Sequence, residues 1–291
     1  MSRGIASSRG AITILNAIPT GIGAALGITL QTDAKVDVKK GKPGIKVNLP
    51  ERGEEDLLAK ECVEGVFRSA GEKLSDVEVR TISTIPISRG LKSSSAAANA
   101  ITLATARAIG IGIDDVEVVK MGVDAAKKAG VTVTGAFDDA MACFFGGIAV
   151  TNNSDMEIIK RTTLKNRRLR VILHVPDRKI RKDGLSRNTF KPLFKQFKEV
   201  EELVLDGEYL EAININGKLI AESLRIDNRV ADDALRAGAI AAGITGTGPA
   251  TAILCSEDSF ECLLDSVSRD KALVITAHLN ETPAPEVEPR L

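Results

Sequence analysis

The run Pro86-Ile87-Ser88-Arg89-Gly90-Leu91-Lys92-Ser93-Ser94-Ser95-Ala96-Ala97-Ala98 places the tightest limits on what this chain can become. Ahead of it, Val77 to Ile82 alternates apolar and polar residues with the period of a half-buried strand. Behind it, Asn99 to Ile109 is rich in Ala and Leu and meets no helix breaker before Gly110. The sequence therefore predicts a strand, a Gly/Ser loop and a helix. A helix start carries unpartnered N–H groups and the positive end of the macrodipole, so a loop feeding it is a natural seat for phosphate oxygens. Gly90 lets the backbone approach an anion, Lys92 brings a compact positive charge, and the serine hydroxyls can donate to phosphate or ligate Mg²⁺. On residue types alone, a Ser-rich cap on a buried alanine helix accounts for the same run equally well.

Composition narrows the partners. The 39 basic and 39 acidic residues cancel, so no overall field draws the protein to nucleic acid or an anionic membrane. One Tyr, eight Phe and no Trp leave little material for stacking bases. No apolar run approaches the roughly 20 residues of a membrane span, and no signal peptide precedes the first strand, so a cytoplasmic protein is expected. Cys62, Cys143, Cys255 and Cys262 lack metal-ligand spacing and read as free thiols, and His174 lies in an apolar strand where packing explains it.

In chain order, Ala11 to Leu15 reads as a strand, Asn16 to Gly27 as a small-residue loop, and Ile28 to Val38 as an alternating strand. The Gly21, Gly23, Gly27 spacing misses a dinucleotide fingerprint, which needs its third glycine three residues after the second. Gly41 to Gly44 makes a turn, Ile45 to Leu49 a strand, and an acidic entrance from Glu51 starts a helix ending at Gly71. Asp114 caps a further helix. Asp138 and Asp139 then sit in a loop of small and apolar residues before Met141 to Phe145 and the turn Gly146-Gly147. Carboxylates so flanked are costly to bury without a partner, such as a metal or a substrate hydroxyl. An Asp cap beside a solvated Asp is the plainer alternative.

The polar stretch from Thr151 to Asp155 suggests a division into residues 1–153 and 154–280, with 281–291 a flexible tail. The basic run from Asp177 to Arg187 reads as a solvated loop, or as a source of an Arg that clamps a substrate carboxylate. A helix pair divided at Gly207, a helix from Ala231 to Ala242, the glycine-rich loop 243–250, a strand, a helix and a last strand complete the chain.

Pro-x-x-x-Gly-Leu-x-Ser-Ser resembles the ATP-binding motif of the GHMP kinases, the superfamily of galactokinase, homoserine kinase and mevalonate kinase. With Lys92 where the family usually has Gly, and Ser95 after the Ser pair, it looks most like the archaeal-type shikimate kinases of that superfamily. The resemblance implies an α+β, two-domain fold with the active site in the cleft between domains. It implies ATP and Mg²⁺ held by residues 86–96 (Pro86, Ile87, Ser88, Arg89, Gly90, Leu91, Lys92, Ser93, Ser94, Ser95 and Ala96), with Ser94 toward the metal and Lys92 offsetting phosphate charge. The family's Gly-x-Asp-Asn loop before Gly-Gly puts Asp138 at the position of the base and Asp139 on the Asn, with Asp139 the rival if the register slips. A metal-binding acid upstream finds only Asp124, at an ill-fitting spacing. Asn16 and Thr20 in the N-terminal loop, and Gly246, Thr247 and Gly248 in the last one, are implied to line the substrate. The implied acceptor is shikimate, giving shikimate 3-phosphate on the route to the aromatic amino acids; homoserine is the runner-up, and a non-catalytic ligand sensor the reading from another class. The Walker pattern is absent, so the P-loop kind of shikimate kinase is excluded.

Overall fold

The computed structural model describes residues 1–48, 54–164, 168–178, 184–268 and 271–291. Leu49 and Glu51 to Gly53 of the expected strand end and acidic entrance, and 179–183 of the basic loop, lie outside them.

Two antiparallel strands frame the first half: β1 (Ser2–Leu15) pairs along nearly its whole length with β2 (Ile22–Lys39), from Ser2 opposite Val38 to Leu15 opposite Ala24. On its other edge β2 carries β4 (Asp76–Ser83) against its second half and β5 (Ile148–Asn152) against its first. Beyond those lie β3 (Gly44–Asn48), parallel to β4, and β6 (Glu157–Thr162), making six strands. Only Ala11 to Leu15, the last five residues of β1, was expected as a strand. The residues before it are small and polar, yet Ser7 and Ser8 are buried and bonded, to Asp33 at 2.5 Å and to the Cys143 carbonyl at 3.0 Å. The N-terminal loop is also shorter than expected: α1 (Ala17–Thr20) is a single turn capped by Asn16, and β2 starts at Ile22.

α3 (Ser93–Ile109) and α5 (Phe137–Phe145) lie on this sheet, α2 (Glu54–Ser69) meets it at β3, and α4 (Asp115–Lys128) packs on α2, α3 and α5. The alanine-rich α3 lies directly on β1: a Cβ on Gly4 would meet the Ala104 carbonyl at 1.9 Å, so small residues on both sides set the approach. Phe137, Met141 and Phe144 anchor α5 in the core, and this burial carries the two neighbouring aspartates inward.

The second sheet has the order β10-β7-β9-β8, all antiparallel: β7 (Leu169–Val175), β8 (Ala241–Ile244), β9 (Thr251–Ser256) and β10 (Leu273–His278). α6 (Phe194–Asp206) and α7 (Tyr209–Leu224) divide at Gly207 as expected, and α8 (Arg229–Arg236) and α9 (Glu257–Val267) follow. The helix expected to reach Ala242 stops at Arg236, because Ala241 to Ile244 pair with β9 and alanine accepts either structure when buried. His174 sits within β7, opposite Thr251 and Val274.

The overall class, α+β, is as expected. The division at 153/154, however, falls on the turn joining β5 to β6 in one sheet; the chain crosses to the second sheet between Thr162 and Leu169. The tail expected to be flexible is packed: Ala284 and Val287 are buried, and Gln31 Nε2 donates to the Glu288 carbonyl at 3.0 Å. Among the described residues, no helix is long and apolar enough to cross a membrane.

Candidate active site

Four segments far apart in sequence meet where the two halves join. The serine run begins α3 directly: Ser93, Ser94 and Ser95 form its first turn, six residues earlier than the expected Asn99 start. Lys92 sits at the N-cap in a left-handed conformation (φ 67°) and makes no side-chain cap bond, so no cap side chain occupies the first-turn N–H groups. The Ser93, Ser94 and Ser95 hydroxyls have no partner among the described residues, and Ser93 and Ser94 are partly exposed. An N-terminus left uncapped and rich in hydroxyls suits an anion with a hard cation, so the anion reading gains over the buried-cap reading.

Gly90 locks the loop against the glycine-rich turn of the second half. Its φ is 89°, and a Cβ there would come within 2.2 Å of the Thr245 carbonyl. Thr245 Oγ1 donates to the Gly90 carbonyl at 3.1 Å and the Ala250 N–H to that of Arg89 at 3.2 Å. Arg89 itself reaches away, donating to the Pro176 carbonyl and to Asp177, each at 2.8 Å. It ties the loop to the end of β7, so only its backbone is left for a phosphate role.

The Lys92 side chain turns inward. Its ammonium lies 3.0 Å from Asp139 Oδ1 and donates to Thr13 Oγ1 at 2.5 Å, and only 7 % of the side chain is exposed. Thr13, on β1, also accepts from the Gly246 N–H at 2.8 Å. The lysine expected to face phosphate is therefore first the counter-ion of a carboxylate.

Asp138 and Asp139 occupy the first turn of α5, not the expected loop. Asp138 is buried, 3 % exposed. Asn153 Nδ2 donates to its Oδ1 at 2.8 Å, and its own N–H donates to Asn153 Oδ1 at 3.2 Å. Across from it lies Gly23, where a Cβ would sit 2.5 Å from Asp138 Cγ and 2.6 Å from Oδ2. Burial, with the Asp139 charge adding to it, pushes the Asp138 carboxyl up to about 7, against the opposing pull of Lys92. A carboxyl at that value takes and returns a proton near neutrality. Cys143, on the same helix, is driven up by burial and then by Asp139, so its thiol stays protonated and inert.

The substrate-lining expectations divide. Both polar atoms of Asn16 are used: Nδ2 donates to the Gly246 carbonyl at 3.0 Å and Oδ1 accepts from the Ile18 N–H at 2.9 Å. It holds α1 to the glycine loop. Thr20, at the end of α1, is partly exposed with weak local contacts of 3.4 and 3.5 Å, and is free to turn to a ligand. Gly246 and Thr247 are buried in the turn that closes on Gly90, and Gly248 precedes a cis bond to Pro249. Asp124 is exposed on α4, and the described residues hold no group of three His, Cys, Asp or Glu side chains able to bind a metal. Sequence reasoning passed over Thr13, Asn153 and Thr245.

Residues 57–147 match the family described as the GHMP kinases N terminal domain. The chain is 42% identical over 252 residues to a shikimate kinase of Methanosarcina acetivorans, covering 86% of this chain and 84% of that one. It is 40% identical over 254 residues to a shikimate kinase of Thermococcus kodakarensis, with 87% and 92% covered. Among solved structures it resembles the Methanococcus jannaschii mevalonate kinase, with a TM-score of 0.78 at 18% identity over 96% of this chain and 99% of that one. A homoserine kinase from Cytophaga hutchinsonii gives 0.73 at 15%, covering 97% and 96%. At those identities the structures speak to the fold alone.

Proposed function

Since the chain belongs to the GHMP kinase superfamily, within the branch of the archaeal shikimate kinases, we propose that it transfers the γ-phosphoryl group of ATP to a hydroxyl of shikimate. The observation that carries the chemistry is the placement of one buried carboxyl near neutral pKa, Asp138, in the same joint as an uncapped, serine-lined helix start. Lys92 bridges the two, leading the serine turn and pairing with Asp139.

Phosphoryl transfer has a loose transition state, so the protein's work is to position the reactants and offset charge. The first-turn N–H groups and hydroxyls of Ser93 to Ser95 receive the phosphates, with the backbone at Gly90 able to come close. The oxygen donors there fit Mg²⁺, and Ser94 is the residue assigned to hold it; when bound, the ion supplies further neutralisation of phosphate charge. Asp138 orients the acceptor hydroxyl and takes its proton on the oxygen left free by Asn153. Thr20 and the segment around Gly23 line the acceptor side. Arg187, exposed at the start of the 3₁₀ turn Arg187–Leu193 that packs on α1, and Arg178 are the described arginines of the basic loop able to meet a substrate carboxylate. The protein works in the cytoplasm and needs no nucleic acid or membrane partner.

An acceptor panel tests the assignment. With Mg²⁺-ATP, ADP release is expected with shikimate and not with homoserine or mevalonate; turnover of homoserine alone would keep the kinase chemistry and overturn the acceptor. A ligand sensor would bind shikimate and release no ADP. Ser94→Ala is expected to fold normally and weaken use of Mg²⁺-ATP by about 1.5–3 kcal/mol, the range for a bond to a charged group. Unchanged ATP kinetics in the folded variant would remove Ser94 from the site.

A further inference from the structure

Asn153 follows β5 directly, in the stretch that reads as a polar turn, yet it is 1 % exposed. Its amide has a determined orientation. Thr151 Oγ1 donates to Asn153 Oδ1 at 2.7 Å, and the Asp138 N–H donates to the same oxygen at 3.2 Å. The Asp138 N–H can only donate, so that atom is the oxygen, and the nitrogen must face Asp138 Oδ1 at 2.8 Å and Thr134 Oγ1 at 3.2 Å. Its backbone N–H is anchored as well, on the Gly21 carbonyl at 2.9 Å.

The α5 N-cap, Ala136 at φ 51°, has no side chain able to cap the helix, so Asn153 supplies that function from another segment. It grips Asp138 twice, by backbone and by carboxylate. With Oδ1 occupied, Oδ2 is the oxygen presented toward Gly23 and the acceptor side.

Building on the assignment of Asp138 as base, we infer that Asn153 is a positioning residue: with Thr151 as its lock, it selects Oδ2 as the proton-accepting atom and holds the carboxyl in its ionised form. A donor to the charged form favours that form, opposing burial and the Asp139 charge. The charged groups facing Asp138 are Asp139 on its own helix and Lys92 ahead of α3, with the neutral Cys143 thiol nearby. Asn153 acts beside them as a neutral hydrogen-bond donor to Asp138.

The test is the pH profile of shikimate-dependent kcat/KM in the intact enzyme. Asn153→Ala is expected to move the acidic limb upward by about one to two pH units, a bond to a charged group being worth that much. The rate should then fall at least about tenfold near pH 6.5 and return most of the way near pH 9. A packing defect alone would lower the rate at every pH. Thr151→Val keeps Asn153 and removes its lock, so a smaller shift in the same direction is expected; it serves also if Asn153→Ala does not fold. An acidic limb left at its wild-type position in either folded variant overturns the inference. Asp138→Asn in parallel separates the two levels: if it leaves rate and limb intact, the base assignment fails, whereas its loss of activity beside an unshifted Asn153→Ala limb defeats only the role of Asn153.

Discussion

Asp138→Asn is expected to bind both substrates and turn them over about 10²–10⁴-fold more slowly, the range for removing a general base. The amide keeps the size and shape that Gly23 accommodates, but it has no lone pair able to take a proton at neutral pH. Wild-type activity is expected to rise as pH increases through about 7, where Asp138 loses its proton, and that limb should vanish in the variant. Stability should move oppositely. The folded carboxyl lies above its ordinary 3.8, so between those values the native state holds the extra proton and loses stability as pH rises. Thermal melts at pH 5 and pH 8 should show that slope in wild type and a flatter one in Asp138→Asn. Asp139→Asn removes the like charge beside Asp138, so its acidic limb should move down, and its loss of rate should be smaller. A large loss confined to Asp139→Asn would transfer the role to Asp139.

Lys92→Met is expected to have the second large effect, with the opposite sign in pH. The lysine is the cation that pulls Asp138 down, and its contacts with Asp139 and Thr13 are nearly sealed from solvent. Removing an opposite charge from beside a carboxyl raises it by about 1–3 units. Activity at pH 7 should therefore drop by about fivefold to several hundredfold, from protonation of Asp138 alone, and recover in part as pH rises. The stranded Asp139 also costs stability, since breaking a buried pair from one side leaves a charge uncompensated. Kinetics from pH 6 to 9, with melts, check both; a uniform loss at all pH values would show that Lys92 acts on the phosphates only.

The parts legible in sequence were those whose signal is local. The serine loop is followed at once by a helix-forming alanine run, and the family resemblance singles out Asp138 by counting back from Gly146-Gly147, with Asp139 as its rival. What stayed hidden depends on long-range pairing. Thr13 meets Gly246 across 233 positions, and its own neighbourhood shows only strand alternation. Asn153 lies in a Thr-Asn-Asn-Ser-Asp stretch whose composition favours a turn, and nothing in it records the partner 15 residues back. Lys92 was read from the chemistry of its loop, which says where a charge is needed and not which way the side chain turns. The early part of β1 and the strand Ala241–Ile244 were missed because small residues carry weak propensity, leaving the neighbouring strand to decide. The tail was judged by its prolines, yet apolar Ala284 and Val287 bury themselves against the first sheet.

Product analysis is the most direct test of the central claim, that this joint of serine turn and buried carboxyl phosphorylates shikimate. Purified protein incubated with Mg²⁺-ATP and shikimate is followed by phosphorus NMR and mass spectrometry. One shikimate 3-phosphate is expected for each ADP formed, with neither appearing at a comparable rate in Asp138→Asn. ADP formed without phosphorylated shikimate, or shikimate left unchanged while homoserine is phosphorylated, would contradict it.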